Sequence, residues 1–248
     1  MPFRAAVVQI GSVPFDKEAT VDKVIRYIQE GAATGAKLLV FPEALVSAYP
    51  KGADFGARVG GRLPRGRDDF LRYHKSAIDV PGAEVDEIAA AAREAGVHVV
   101  LGVIERDAGT LYCTVLFFGP EKGYLGKHRK LMPTASERLI CFVLSACQYI
   151  TRGAFPDDYE AIQGDEPDTV LMRGGSVIVS PLGEVLAGPD FDGECILTAD
   201  LDLDDITRGK YDFDAVGHYA RPDVFRLLVD ESAKPAMLNS VGFAESGD

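Results

Sequence analysis

The sequence has no tryptophan and only four histidines and four cysteines among its 248 residues. The histidines form no HxxxH or HExxH pattern, so we expect no metal site. No two cysteines form a CxxC pair, so we expect neither a zinc site nor a disulfide framework. The cysteines, at positions 113, 141, 147 and 195, are predicted to be reduced thiols of a cytoplasmic protein.

Long apolar runs and an excess of positive charge are also missing. No segment approaches the roughly 20 apolar residues of a membrane helix, and the N-terminus lacks the pattern of a secretory signal. The net charge is −12, so nucleic acid and anionic membranes are not expected partners. An apolar content of 47% and a charged content of 26% are typical of a soluble globular domain.

Alternating apolar patterns predict a layered α/β domain that begins with a βαβ unit. Residues 4–10 form the first predicted strand, Asp16 caps a helix through about Ala33, and residues 38–41 form the next strand. A second amphipathic helix contains Val85 and Ile88 and ends at Gly96. Further strands are predicted at residues 97–104, 111–118, 124–129, 142–150, 176–180, 185–187 and 194–201, and a short helix after Asp204.

Residues 49–82 have no clear periodicity and are predicted to be irregular. They contain several prolines and glycines and a group of basic side chains: Arg58, Arg62, Arg65, Arg67, Arg72 and Lys75. A solvated loop explains such a charge run. The alternative is a rim or lid over a pocket, because long loops in compact domains are often functional.

The most informative segment is KLLVFPEALVSAYPKG at residues 37–52. Its apolar run ends at Pro42, which cannot donate to a sheet ladder, and Glu43 follows immediately. A carboxylate at the edge of a core must reach solvent or find a cation, because an unpaired buried charge is strongly unfavourable. From these residues alone, Glu43 is either a surface turn residue or the acid of a site.

Three segments resemble the nitrilase branch of the carbon-nitrogen hydrolases. FPEALVSAYPKG resembles its first signature, GKHRKLMPTASERL at residues 126–139 its lysine motif, and GKYDFDAVGHYARPDVF at residues 209–225 its C-terminal region. The resemblance implies an α-β-β-α sandwich at residues 1–230, a tail at residues 231–248 and assembly as a homo-oligomer. It also implies hydrolysis of a small-molecule nitrile to a carboxylic acid and ammonia without a cofactor.

The same resemblance implies roles for individual residues. Glu43 matches the general base, Lys130 the lysine that stabilises the tetrahedral species, and Glu137 a second acid that supports the lysine or positions the substrate. We expect the charged groups of Glu43 and Lys130 to lie within about 4–6 Å of each other, facing one pocket. Attack on a nitrile also needs a strong nucleophile, for which a cysteine thiolate beside a lysine is well suited.

The segment that carries the nucleophile in the family, with a motif close to CWE, is missing. Here ERL is followed directly by ICFVLSACQ, which predicts a gap between about Leu139 and Phe142. Cys141 at this junction is either the first residue of the later strand, which we favour, or the remnant of a nucleophile strand. On a continuous strand Cys141 and Cys147 would face the same side, whereas Cys113 is predicted to be structural.

Three functional hypotheses follow. The first is an active nitrilase-type hydrolase. The second is a catalytically inactive homologue that serves as a structural or binding subunit, which the missing segment favours. The third is an amidase or a cyanide-hydrating relative, although the VSAYPKG sequence after Glu43 favours the nitrilase branch over amidases.

Overall fold

The computed structural model describes residues 2–51, 57–58, 61–62, 64–130 and 141–209. These residues all belong to one unit, Met1–Asp212. Glu137, the C-terminal segment at residues 210–225 and the predicted tail at residues 231–248 lie outside the described residues. No helix in the described part of the chain is long and apolar enough to cross a membrane.

The described helices are α1 Lys17–Ala33, α2 Pro64–Ser76, α3 Ala83–Ala95 and α4 Asp204–Gly209, with a 3₁₀ turn at Arg152–Ala154. The described strands are β1 Phe3–Gln9, β2 Leu38–Val40, β3 Ala57–Arg58, β4 Gly61–Arg62, β5 Ile78–Asp79, β6 His98–Asp107, β7 Thr110–Gly119, β8 Gly123–Arg129, β9 Val143–Ser145, β10 Tyr149–Thr151, β11 Val170–Arg173, β12 Ser176–Val179, β13 Val185–Asp190 and β14 Cys195–Leu201.

The largest sheet has seven strands in the order β14-β1-β2-β6-β7-β8, with β5 also paired to β6. Strands β1, β2 and β6 are parallel to one another, which is the arrangement that the predicted βαβ unit requires. Strands β6, β7 and β8 continue the sheet as antiparallel neighbours. The candidate site lies over β6 and β7 and at the end of β8.

Helices α1 and α3 cover one face of this sheet. Asp16 accepts a hydrogen bond from the Ala19 N–H and caps α1 as predicted, and Gly96 ends α3 in the left-handed conformation. The helices and the sheet enclose the main core, which includes Val21, Val24, Ile28, Ile88, Leu39, Leu101 and Leu116. The periodicity in the sequence therefore predicted both helices correctly.

A second, smaller sheet lies against the other face. Its strands have the order β13-β12-β9, and β12 and β13 form the predicted hairpin. Ala5, Val7, Ile178 and Leu201 pack between the two sheets. The described residues thus contain a helix layer, a large sheet and a smaller second sheet, and the predicted α/β class is correct.

The prediction of one strand over residues 142–150 is wrong. Strand β9 pairs with β12 in the second sheet, whereas β10 pairs with β11 in a separate two-stranded sheet. Residues 146–148 between them leave the ladder, and Cys147 donates its backbone N–H to the Ser176 Oγ. Cys141 and Cys147 therefore do not share a strand, and the inference that they face the same side fails.

The prediction that residues 49–82 are irregular is also wrong over 64–76, where α2 forms. Pro64 occupies the first helical position, where a backbone N–H would have no acceptor within the helix, so proline is tolerated there. Charged residues dominate the helix, and Phe70 and Leu71 are exposed. On its inward side, Tyr73 packs in a small buried cluster with Ala77, which follows the helix. Such a narrow apolar stripe cannot be identified from the sequence.

Candidate active site

Glu43 is positioned by a close crossing of two chain segments. After β2, the chain passes directly over Gly102 on β6. A Cβ atom on Gly102 would lie 2.4 Å from the Pro42 carbonyl oxygen and 2.5 Å from the Glu43 Cα. Only a residue without a side chain permits this approach, and the Leu45 N–H then donates to the Gly102 carbonyl at 2.9 Å.

The turn that follows Glu43 has an uncommon backbone. Ala44, Ser47 and Ala48 have φ angles of 52°, 96° and 72°, in the left-handed region that residues other than glycine rarely adopt. Such conformations persist only where surrounding contacts hold them, and they are concentrated at functional sites. The unusual backbone is thus a second sign that this turn serves a site.

Two distant residues hold this turn in place. The Gln148 side chain donates to the Glu43 carbonyl at 2.8 Å, and the Ser12 hydroxyl donates to the Leu45 carbonyl at 2.7 Å. Ser12 and Gln148 also lie within hydrogen-bonding distance of each other, at 3.2 Å. Sequence reasoning missed both residues, because neither stands in a recognisable motif and each reaches the turn only through the fold.

Lys130 approaches Glu43 from the end of β8. Its backbone N–H donates to the Cys113 carbonyl at 2.8 Å, which continues the β7–β8 ladder by one residue. Its Nζ lies 2.6 Å from the Glu43 Oε1, and the two side chains are 44% and 57% exposed. The predicted proximity of the two charges is confirmed at a shorter distance than expected, and the pair is open to solvent.

Cys113 also belongs to this cluster, although the sequence predicts it to be structural. Its Sγ donates to the same Glu43 Oε1 at 3.2 Å. The hydrogen bond from Lys130 lowers the pKa of Glu43, with burial opposing and Cys113 assisting. The same ion pair raises the pKa of Lys130, and burial together with Glu43 raises the pKa of Cys113 to about 11. At neutral pH the cluster therefore contains a carboxylate, an ammonium and a protonated thiol.

The other predicted site residues are not brought into this cluster. Glu137 lies outside the described residues. Cys141 lies two residues before β9 and is half-buried, and its neighbour Phe142 packs between the two sheets. Within the part of the chain that the structure describes, Cys141 is not a hydrogen-bond partner of Glu43 or Lys130.

The arrangement has the parts of an acid–base site. An ionised carboxylate can accept a proton from a nucleophile, and an adjacent ammonium can stabilise charge that develops on a substrate atom. Residues 2–51, 64–130 and 141–209 contain no group of three or more histidine, cysteine or acidic side chains placed to hold a metal ion. Proton transfer and electrostatic stabilisation are the chemistry that the Glu43 carboxylate and the Lys130 ammonium can themselves supply.

Comparison with known proteins identifies the family of the chain. The family model described as carbon-nitrogen hydrolase matches residues 4–140 and 132–211. An aliphatic nitrilase of Sinorhizobium fredii is 48% identical over 303 aligned positions, which include 95% of this chain and 98% of that protein. A nitrilase of Bradyrhizobium diazoefficiens is 46% identical, with 95% of this chain and 94% of that protein covered.

The fold is also similar to solved structures. The C. elegans NitFhit protein superposes with a TM-score of 0.64 at 13% identity, over 95% of this chain and 69% of that one. The chain belongs to the carbon-nitrogen hydrolase family. The named nitrilases among its relatives place it in the nitrilase branch of that family.

The comparisons also bear on the predicted gap in the sequence. The alignment with the S. fredii protein has 303 positions, 55 more than the 248 residues of this chain, so at least that many positions have no residue here. The family match divides into two parts whose ends overlap at residues 132–140. The alignment length does not say where these positions fall, but the divided family match has its break at residues 132–140, next to the predicted gap between about Leu139 and Phe142.

Proposed function

We propose that this chain carries the base and the lysine of a nitrilase-type active site, which converts a small-molecule nitrile to a carboxylic acid and ammonia. The observation that carries the proposal is the solvent-open ion pair of Glu43 and Lys130, with 2.6 Å between Oε1 and Nζ. The two residues stand in the two motifs that match the family. Nitrilases with 46–48% identity support the choice of a nitrile as substrate.

In the proposed reaction, a cysteine sulfur attacks the nitrile carbon while Glu43 accepts the thiol proton. The nitrile nitrogen gains a proton, and Lys130 stabilises the charge that develops there, which gives a covalent thioimidate. One water then releases ammonia and leaves a thioester, and a second water releases the acid and restores the thiol. Glu137 is proposed to support Lys130 or to position the substrate.

The identity of the nucleophile separates two functions for this chain. Cys141 remains the candidate that the sequence offers, and no described contact brings it to Glu43. The predicted gap, together with the at least 55 aligned positions that have no residue here, therefore favours a second function for the 248-residue chain. In that case the protein is a catalytically inactive homologue that serves as a structural or binding subunit.

The test is ammonia release from a panel of aromatic and aliphatic nitriles. We expect no detectable hydrolysis by the 248-residue chain, because removing the nucleophile of a covalent enzyme lowers the rate by about a million-fold. The same chain with the missing segment of the S. fredii nitrilase inserted between Leu139 and Phe142 should hydrolyse nitriles. Glu43→Gln in that restored chain should abolish the activity and is the matched control.

The other outcomes separate the hypotheses. If the 248-residue chain hydrolyses nitriles and Cys141→Ala abolishes that activity, then Cys141 is the nucleophile. Turnover that survives this change would point to Cys147 or to a contaminating enzyme, which iodoacetamide labelling and mass mapping distinguish. A restored chain that hydrolyses amides but not nitriles, or that hydrates cyanide, would favour the third hypothesis. A restored chain inactive on all of these would overturn the proposal.

We further propose a cytoplasmic location, a domain at residues 1–230 with a tail at residues 231–248, and a homo-oligomer. All four cysteines are free, which is typical of reducing compartments. The assembly rests on the resemblance of the C-terminal region to that of the family. Light scattering at micromolar concentration should give at least twice the 26.7 kDa of one chain, and a monomer would contradict it.

A further inference from the structure

One oxygen of Glu43 receives two donors from neighbouring strands. Lys130 Nζ lies 2.6 Å from Oε1 and Cys113 Sγ lies 3.2 Å from the same atom. Cys113 is on β7 and Lys130 follows β8, and a backbone hydrogen bond of 2.8 Å joins the two residues directly. The spacing of the two donors is therefore fixed by the sheet and not by flexible loops.

The surroundings of Cys113 favour a protonated thiol. Cys113 packs against a small cluster in which Ala44, Tyr73 and Ile104 are buried. The titratable groups that act on this cluster are Glu43, Lys130, Tyr73 and Tyr49. Burial and the negative charge of Glu43 outweigh Lys130 and raise the pKa of the thiol to about 11. A protonated thiol is a hydrogen-bond donor and a poor nucleophile.

We propose that Cys113 is a positioning residue, whose S–H orients the Glu43 carboxylate so that Oε1 faces Lys130. Glu43 is 57% exposed, and an exposed ion pair alone holds its side chains weakly because ordering them loses rotamer entropy. A second donor on a rigid strand limits the rotation of the carboxylate. The catalytic meaning of this contact rests on the proposed role of Glu43 as base.

The main alternative is that Cys113 itself is the nucleophile and Glu43 activates it. The two roles predict opposite responses to the removal of the Glu43 charge. If the thiol only donates, then Glu43→Gln removes a charge that disfavours the thiolate, and Cys113 becomes more reactive. If Glu43 accepts the thiol proton during attack, then Glu43→Gln removes the base, and Cys113 becomes less reactive.

The first experiment measures alkylation of Cys113 by iodoacetamide between pH 7 and 9, with peptide mass mapping, in the wild type and in Glu43→Gln. We expect about a threefold faster rate in the variant, since each lowered pKa unit gives tenfold more thiolate that is intrinsically less nucleophilic. Cys195 is the internal control, because burial and Asp190 raise its pKa also to about 11 and Glu43 does not contribute. A slower or unchanged rate at Cys113 would overturn the proposal.

The second experiment tests orientation through the carboxyl group itself. The pKa of Glu43 is measured by ¹³C NMR titration in the wild type, Cys113→Ser and Cys113→Ala, with the resonance assigned from Glu43→Gln. Cys113→Ala should raise the pKa of Glu43 because a donor is lost, and Cys113→Ser should keep it near the wild-type value because a hydroxyl can donate in its place. No shift in Cys113→Ala, or equal shifts in both variants, would show that Cys113 only fills space.

Neither experiment requires nitrile turnover. If the restored chain fails to hydrolyse nitriles while both results hold, then the proposed function is wrong and the contact stands. If turnover is found and the Cys113 results fail, then only the positioning role is wrong.

Discussion

Strands β6, β7 and β8 carry one cluster of charged residues on each face of the same sheet. On the helix-covered face, Glu105 meets Lys127 and Arg129. On the opposite face, Glu43 from the β2 turn meets Lys130, the residue next to Arg129. Because successive residues of a strand point to opposite faces, β8 and the residue that follows it supply cations to both clusters.

The two carboxylates differ in burial and in how completely they are bonded. Glu105 is 1% exposed and accepts from Lys127, from the Arg129 Nε at 2.9 Å and Nη2 at 2.6 Å, and from the Thr114 hydroxyl at 2.9 Å. Burial alone would raise its pKa, but the hydrogen bonds from Arg129, Lys127 and Thr114 lower it to about 2. Both of its oxygens are occupied.

In the cluster of Glu43, Lys130 and Cys113, which we call the open cluster, the described donors occupy only one carboxylate oxygen. Lys130 and Cys113 both bond to Oε1 of Glu43, and within the described residues Oε2 receives no donor from the protein. A largely exposed carboxylate with an oxygen that no described donor occupies can accept a proton from water or from a thiol. The comparison shows why the helix-side cluster is structural, whereas the open cluster is suited to chemistry.

The largest effect on stability is expected from breaking the helix-side cluster of Glu105, Lys127 and Arg129. Glu105→Gln should lower the free energy of unfolding by about 3 kcal/mol, because two cations lose their buried partner. Glu43→Gln is the matched control on the open face and should change stability by less than about 1 kcal/mol. Urea unfolding of both variants measures the difference, and equal effects would contradict the distinction between the clusters.

Acid should remove the contribution of Glu105 in a defined window. Its pKa in the folded protein, about 2, is below the ordinary value of 4.5, so its stabilisation is complete above pH 4.5 and is lost as the pH falls through about 2. The stability difference between the wild type and Glu105→Gln should be constant from pH 7 to 5 and shrink below 4.5. A difference that instead grows in acid would show that Glu105 is protonated in the folded state.

The crossing at Gly102 offers a way to disturb the open cluster through the backbone. Gly102→Ala should destabilise the protein by about 2 kcal/mol, because the added carbon forces the Glu43 turn away from β6. Gly109→Ala is the control, since a Cβ there meets no heavy atom within 4 Å. In thermal unfolding, the melting temperature of Gly102→Ala should lie clearly below that of Gly109→Ala. Similar melting temperatures would mean that the Glu43 turn moves away from β6 without loss of stability.

The smallest effect concerns the open ion pair itself. A double-mutant cycle with Glu43→Gln and Lys130→Met should give a coupling energy of about 0.5 kcal/mol, because both side chains are largely solvated. The coupling should fall when the salt concentration is raised from 0.05 to about 1 M, as screening shortens the Debye length to about 3 Å. A coupling above about 2 kcal/mol would show that the pair is shielded in solution and that the contrast with Glu105 is smaller than the structure indicates.

The sequence by itself determined the elements with strong periodicity. It predicted α1 with its Asp16 cap, α3 with its Gly96 end and the β12–β13 hairpin, because apolar spacing and turn residues act locally. It also predicted the pairing of Glu43 with Lys130, although that came from resemblance to a family and not from the spacing of the residues. Helix α2 was missed because its narrow apolar stripe is hidden among charged residues.

Only the tertiary structure decided what surrounds Glu43. Cys113, Gln148 and Ser12 are separated from it by tens of residues of chain, and each reaches the turn through strand register and a close crossing at Gly102. The break between β9 and β10, which directs Gln148 to Glu43, likewise results from pairing with different partner strands. Local patterns in a sequence do not encode such contacts, because they depend on which distant segments are brought together when the core forms.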